Sequence, residues 1–408
     1  MTGPADIVTA TADHQPGHLA AHRPMPWHQA RTLAHQLAVP LPAEVVALPH
    51  AAGRTLRSAL HAATMLPGFD NAAMDGYAVR GPGPWQLVGR VLAGDPATSP
   101  LALGEAVEIG TGAPVPDGTD RVVRYEDAVR DADTVFAPPT DRHHIRRHGE
   151  YVRAGQQILP AGYQLRPAAL GLAASVGIDA VTVTTRALVQ LLITGDEVIP
   201  CGRPPQGTVR DAIGPVVNAL LPMWGADPDV GSLPVPDRPA DALTAALIDS
   251  LASADVVVVC GASSIGPADS LHHALHTVGA TVHVDGVACR PGHPQVLAEA
   301  AGRWIVGLPG NPFAALVAAH TLLQPLLAGL AGHALPALPT APLHGDVHVV
   351  PGHTRLVPVH RRSDGVHVIG GARPGHLGPA AHADALAVLP AERGDNLVQY
   401  IPLTTGSW

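Results

Sequence analysis

Four consecutive valines, Val256-Val257-Val258-Val259, constrain this chain more than any other stretch. A β-branched run with no polar alternation makes a strand buried on both faces, the mark of a parallel sheet covered by helices. The chain continues Cys260-Gly261-Ala262-Ser263-Ser264-Ile265-Gly266-Pro267-Ala268-Asp269. Small residues around Gly261 and Gly266 leave backbone N–H groups uncovered, and Asp269 stands where a helix through Leu271–Leu275 begins. By itself this stretch reads either as a βα turn that needs small residues or as an anion cradle beyond a strand's carboxyl end.

The same texture extends from Ala187 to about residue 330. Strands are expected at 187–193, 229–233, 255–260, 281–284 and 303–307, and helices at 213–224, 240–251, 268–278 and 312–330. Strand and helix alternating in this way predict an α/β domain with a mostly parallel sheet, its ligand site beyond the strand carboxyl ends. Three of those ends carry chemistry: Thr194-Gly195-Asp196-Glu197, the Gly261–Asp269 run, and Leu308-Pro309-Gly310-Asn311-Pro312. In the last, Asn311 suits an N-cap and Pro312 the first helical position, so a helix N-terminus is expected to face the crevice. Turn chemistry explains any one of these, but three on one sheet edge point to a binding site.

With 408 residues the chain exceeds one ordinary core, and about two to four domains are expected. Aromatics at 3% with 43 Gly and 42 Pro imply cores of Ala, Val and Leu joined by many turns. A helix is expected at 27–37, a short strand at 45–48, an ordered loop at 66–80, a small β-rich domain around 85–136, a helix at 165–176, a strand at 180–184 and a β-rich tail after 336. Arg142, Arg146, Arg147 and Arg153 form the one basic cluster, either a solvated face or a site for a phosphorylated ligand.

All 25 basic residues are arginine, and the net charge of −9 argues against nonspecific nucleic-acid binding. Cys201, Cys260 and Cys289 lack CxxC spacing and cannot all pair, which fits a reducing cytoplasm. Met1–Ala20 has no basic segment followed by an apolar run, and no uninterrupted apolar stretch reaches the ~18 residues of a bilayer span. No secretory signal and no membrane partner are therefore expected. The 24 histidines are scattered and there is no HExxH, so surface histidines are expected rather than a zinc site.

Taken together, Phe69-Asp70-Asn71-Ala72-Ala73-Met74-Asp75-Gly76-Tyr77-Ala78, Thr111-Gly112-Ala113-Pro114-Val115-Pro116, Thr194–Glu197, Gly261–Asp269, Arg290-Pro291-Gly292 and Leu308–Pro312 resemble, in order and spacing, the molybdopterin molybdenumtransferases, MoeA and the gephyrin E domain. The resemblance runs from about residue 27 to the C-terminus. Residues 1–24, rich in Ala, Pro and His, are expected to be a flexible N-terminus. Beyond them the resemblance implies a homodimer with an N-terminal domain from 25–53 and 146–186, an inserted β domain (54–145), a three-layer molybdopterin-binding α/β domain (187–335) and a C-terminal β domain (336–408). It implies an active site between the α/β domain of one subunit and the inserted β domain of the other. The implied reaction inserts molybdenum from molybdate into adenylated molybdopterin and releases AMP, with Mg²⁺ assisting and a molybdopterin adenylyltransferase as the delivering partner.

Carried over by position, Asp75, Thr111, Glu197, Asp211 and Asp269 are the implied catalytic groups, with Glu197, Asp211 and Asp269 holding Mg²⁺. Gly261, Ser263, Ser264, Gly266, Arg290, His293, Pro309, Gly310, Asn311 and Pro312 are the implied pterin-phosphate contacts. Four positions depart from the family pattern. Ala262 replaces a glycine, Tyr151 stands where an acidic residue is usual, His293 replaces a lysine, and Ile213 replaces the Asn of Asp-x-Asn. These departures support an alternative, a paralogue that binds a molybdopterin phosphate as carrier or partner without turnover.

Overall fold

The computed structural model describes residues 24–96, 99–239, 241–261, 270–392 and 396–403. The expected flexible N-terminus therefore lies, but for Pro24, outside the described residues. The chain divides into two compact units, residues 40–185 with 331–333, and the remainder.

In the larger unit, Leu188–Thr194, Val256–Cys260 and Arg303–Leu308 are adjacent parallel strands, with Asp227–Val235 parallel on the outer side of Leu188–Thr194. Val296–Ala300 and Thr281–Asp285 complete the sheet antiparallel. All four valines of the central strand are 0% exposed, as a run without polar alternation requires. Val257 and Val259 pack under the helices Ala242–Leu251 and Ser270–Thr277 through Leu243, Leu247, Leu271 and Ala274.

Pro312–Leu330 is a continuous helical run with a π-helical turn at Ala319–Leu323. Pro325 lacks an N–H and disturbs the regular ladder one turn back, which accounts for the wider turn. The run is long and apolar enough to cross a membrane, with mean hydropathy 1.6, yet 94% of it is buried inside the protein. It is thus the core helix of this unit. Helix Trp27–Leu37 packs against it, and Trp27 Nε1 donates to Thr321 Oγ1 at 2.9 Å. The C-terminal strands Thr340–His344, Thr354–Arg362, Gly365–Val368, Ala385–Leu389 and Leu397–Pro402 form a second sheet. It is extended by Val287–Arg290, which pairs with Thr354–Arg362, and by Met25–Pro26.

The smaller unit holds a six-stranded sheet built from Gly76–Val79, Trp85–Val91, Glu105–Ile109, Arg121–Arg124, Val129–Asp131 and Thr134–Phe136. Its two faces are filled by small clusters around Ile109 and Trp85. Ala43–Ala47 pairs with Ala180–Thr184 over the helix Pro167–Ser175, closing a core around Leu56 and Leu165.

Candidate active site

Parallel pairing sets Ile193, Cys260 and Leu308 side by side, so the turns that follow leave one edge of the sheet. Thr194 Oγ1 donates to the Cys260 carbonyl at 3.0 Å, and Gly261 N donates to the Leu308 carbonyl at 3.1 Å. Gly261 and Gly310 lie against each other: a Cβ on Gly310 would stand 3.4 Å from Gly261 Cα. Asp196 accepts the Asp237 N–H at 3.0 Å and Arg238 Nε at 3.1 Å, and these bonds hold its carboxyl below the usual carboxylate range. Asp196 closes the turn. Its neighbour Glu197 is exposed, its carboxylate folded back toward Gly195.

Glu197 and Asp211 hang from one small structure, the parallel pair Val198–Ile199 and Val209–Arg210. Val209 N donates to Glu197 O at 2.8 Å and Asp211 N to Ile199 O at 3.0 Å. Asp211 Oδ1 accepts the N–H groups of Ile213 and Gly214, both at 2.9 Å, at the start of helix Ile213–Met223. This oxygen serves as a helix cap. The other, Oδ2, lies with Ser232 Oγ where a Gly214 side chain would be. Burial pushes the Cys260 thiol up, and the Asp211 charge adds to the shift. Asp269, Ala262, Ser263, Ser264 and Gly266 lie outside the described residues.

A hollow of about 410 Å³ opens beside the third strand end. Arg290, His293, Pro309 and Asn311 line it, together with His353, Arg355 and Pro374 from the C-terminal segment. Arg290 and Arg355 are register partners on adjacent parallel strands. The Arg355 guanidinium is held below its ordinary pKa by burial and then by the Arg290 charge, and its buried Nε has no hydrogen-bond partner. Both arginines line the hollow, and the open N–H groups of paired guanidinium side chains suit an oxyanion. Buried Gln295 holds the loop beneath, donating from Nε2 to Gly292 O at 2.6 Å and to Cys289 Sγ at 3.3 Å. Burial pushes the Cys289 thiol up to about 12, so it stays protonated.

Two expectations change here. The N–H groups of Phe313 and Ala314 donate to the Pro374 carbonyl at 2.9 and 3.3 Å, so this helix N-terminus is already satisfied and does not offer amides to an anion. Asn311 is the N-cap residue by position, yet its side chain makes no capping bond. His293 Nδ1 donates to the Val287 carbonyl at 2.9 Å, which leaves Nε2 of the neutral ring as an acceptor. In that tautomer the ring offers an oxyanion no donor.

In the smaller unit, residues from two separate motifs meet. Asp75 Oδ1 accepts the Thr111 N–H at 2.6 Å; this bond, followed by one from the Thr111 side chain, lowers the Asp75 pKa. Asp70 accepts Arg147 Nη1 at 2.6 Å and the His148 N–H at 2.7 Å. Its partial burial opposes ionisation, but the His148 and Arg147 hydrogen bonds outweigh it and lower the pKa. Arg147 is thereby paired within the protein. Tyr151 is exposed, in the turn following Glu150.

The chain is 37% identical over 315 residues to the molybdopterin molybdenumtransferase of Haemophilus influenzae, covering 74% of this chain and 77% of that one. It belongs to the molybdopterin molybdenumtransferase family. A second member, from Nostoc sp., is 33% identical over 85% of both chains. The MoeA N-terminal region (domain I and II) matches residues 25–177, and the probable molybdopterin binding domain matches 190–329. The fold is shared with the crystal structure of the molybdopterin biosynthesis MoeA protein from Pyrococcus horikoshii OT3. That likeness has a TM-score of 0.77 at 22% identity, and covers 93% of this chain and 100% of the other.

Within this member of the family, His353 and Arg355 are the candidate groups that sequence reading passed over. They fall in a β-rich tail with no recognised motif, about 60 residues from Arg290, and only strand pairing brings them to the hollow. The sole signal was a pair of basic residues, His353 and Arg355, after a turn at Pro351-Gly352.

Proposed function

We propose that this chain inserts molybdenum from molybdate into adenylated molybdopterin with release of AMP, using the strand edge around Glu197, Asp211 and the Arg290–Arg355 hollow. The observation that carries the reading is the register pair Arg290 and Arg355, which line one hollow together with Pro309 and Asn311. The substrates are a phosphoanhydride and an oxyanion, and paired guanidinium groups recognise both. We read the parallel sheet and its helices as the three-layer molybdopterin-binding domain.

The donors fit Mg²⁺: Glu197 is exposed at the strand end, and Asp211 Oδ2 is not engaged by the helix amides that hold Oδ1. These are hard oxygen ligands of the kind Mg²⁺ selects, with Asp269 a third on the family pattern. Bound there, the ion would neutralise charge on the pyrophosphate leaving group. The protein's own contribution is positional. Arg290 and Arg355 orient the oxyanion, Glu197 and Asp211 would hold the ion that neutralises the anhydride, and Asp75, kept ionised by Thr111, presents a carboxylate from the inserted domain. We take the working form to be a cytoplasmic homodimer supplied by a molybdopterin adenylyltransferase.

The test is AMP release from adenylated molybdopterin in the presence of molybdate and Mg²⁺. Glu197→Gln should lower the rate by roughly 100-fold, the scale of losing metal-assisted charge stabilisation. A well-folded wild type that releases no AMP would overturn the reading. The His293 tautomer favours one alternative, a paralogue that binds the pterin phosphate without turnover, for which calorimetry would record tight binding and no AMP.

A further inference from the structure

In the C-terminal sheet, Thr340–His344 runs parallel to Gly365–Val368 with His344 opposite His367, so both imidazoles stand on one face. The rings stack, with centroids 4.4 Å apart and planes 13° from parallel. Asp364 precedes the second strand and turns its carboxylate toward both. Oδ1 is 2.8 Å from His367 Nε2 and Oδ2 is 3.8 Å from His344 Nε2, which also lies 3.1 Å from the Asp364 carbonyl. Gly365 permits this approach. At φ +144°, a side chain there would strike the Pro342 carbonyl and stand 3.2 Å from His344 Cδ2.

We propose that His344, Asp364 and His367 form a zinc site on the C-terminal domain, separate from the carboxylates assigned to Mg²⁺. One ligand atom from each lies within 4.8 Å of the others, and among the described residues this is the group in which three such donors converge. Donors around tetrahedral Zn²⁺, at ~2.0–2.1 Å from the metal, are ~3.3 Å apart, and the 2.8 and 3.8 Å gaps from Asp364 bracket that spacing. Two imidazoles and one carboxylate select Zn²⁺ over Mg²⁺, which prefers oxygen and keeps its water. With His344 40%, Asp364 58% and His367 22% exposed, the fourth position opens to solvent. The ion would cross-link two strands already paired in the sheet, acting as a side-chain clip on their ladder.

Metal-free full-length protein is titrated with Zn²⁺ by calorimetry, and separately with Co²⁺ by visible absorption. Wild type should bind one equivalent more tightly than the scattered histidines do and give a tetrahedral Co²⁺ spectrum, neither displaced by millimolar Mg²⁺. His344→Gln/His367→Gln should lose that equivalent and the spectrum, with AMP release unchanged; Asp364→Asn, which keeps both rings, should weaken binding at least tenfold. Identical isotherms for wild type and both variants, or a wild type without tetrahedral Co²⁺ absorption, would overturn the proposal.

Discussion

Asp211 has two carboxylate oxygens and two tasks. One oxygen holds the first amides of helix Ile213–Met223, and the other lies beside Ser232 across Gly214. Gly214→Ala would drive a methyl group into both Asp211 Oδ2 and Ser232 Oγ. It should cost about 1–3 kcal/mol in denaturant unfolding and also reduce AMP release, because the displaced oxygen is the one offered to Mg²⁺. At the hollow, Arg355→Ala should raise the KM for molybdate roughly 10- to 100-fold in steady-state assays, the range of a charge-assisted hydrogen bond. An unchanged KM would remove Arg355 from the site. Asp75 carries a proton-linked prediction. Its pKa is lowered by Thr111, so Thr111→Val, which keeps the backbone N–H but deletes the hydroxyl bond, should move the acidic limb of the activity profile to higher pH. At this scale the sequence was legible where a motif is contiguous, as in Thr194–Glu197. It was illegible where a group acts through a partner far along the chain: neither the Asp75–Thr111 bond nor the Arg290–Arg355 pairing has any local signal.

The helical run Pro312–Leu330 shows how an element can be read correctly in extent and still hide its chemistry. Its apolar residues and capping position mark its span, but the π turn at Ala319–Leu323 places His320 wholly inside, edge-on to Trp224 at 5.1 Å. Burial lowers the His320 pKa to about 4, against a smaller opposing effect of its hydrogen bond with Gln324. The unfolded chain, with its histidine near 6.5, therefore binds the proton more readily than the folded one. The stability due to a neutral His320 is fully present above about pH 6.5 and is lost as pH falls toward 4, by about 3 kcal/mol. Urea unfolding at pH 7.5 and pH 5 should differ in this direction, and His320→Leu should reduce the difference. An identical pH dependence in the variant would place the acid sensitivity elsewhere, for instance at His28, whose pKa is also lowered by burial and by Arg31. The strands Val287–Arg290 and Val296–Ala300 were not anticipated as elements, since Pro and Gly between them read as turn chemistry.

At the scale of the molecule, the parallel register decides why three distant turns share one edge. Once Val256–Val259 is central, parallel pairing leaves the ends at Thr194, Cys260 and Leu308 on the same side. The larger unit thereby gathers Glu197, Asp211 and the Arg290–Arg355 hollow, while Asp75 and Thr111 belong to the smaller one. The homodimer we propose draws each site from both subunits, and this has a consequence that a site contained in one chain does not share. Asp75→Asn and Glu197→Gln, each expected to be strongly impaired alone, are co-expressed with different affinity tags so that mixed dimers can be isolated. Random pairing makes about half the dimers mixed, and in each of these one site carries both defects while the other carries neither. The co-expressed mixture should recover about one quarter of wild-type AMP release, and the purified mixed dimer about one half. If both groups serve a site within one chain, every site in the mixed dimer carries one defect and no activity returns.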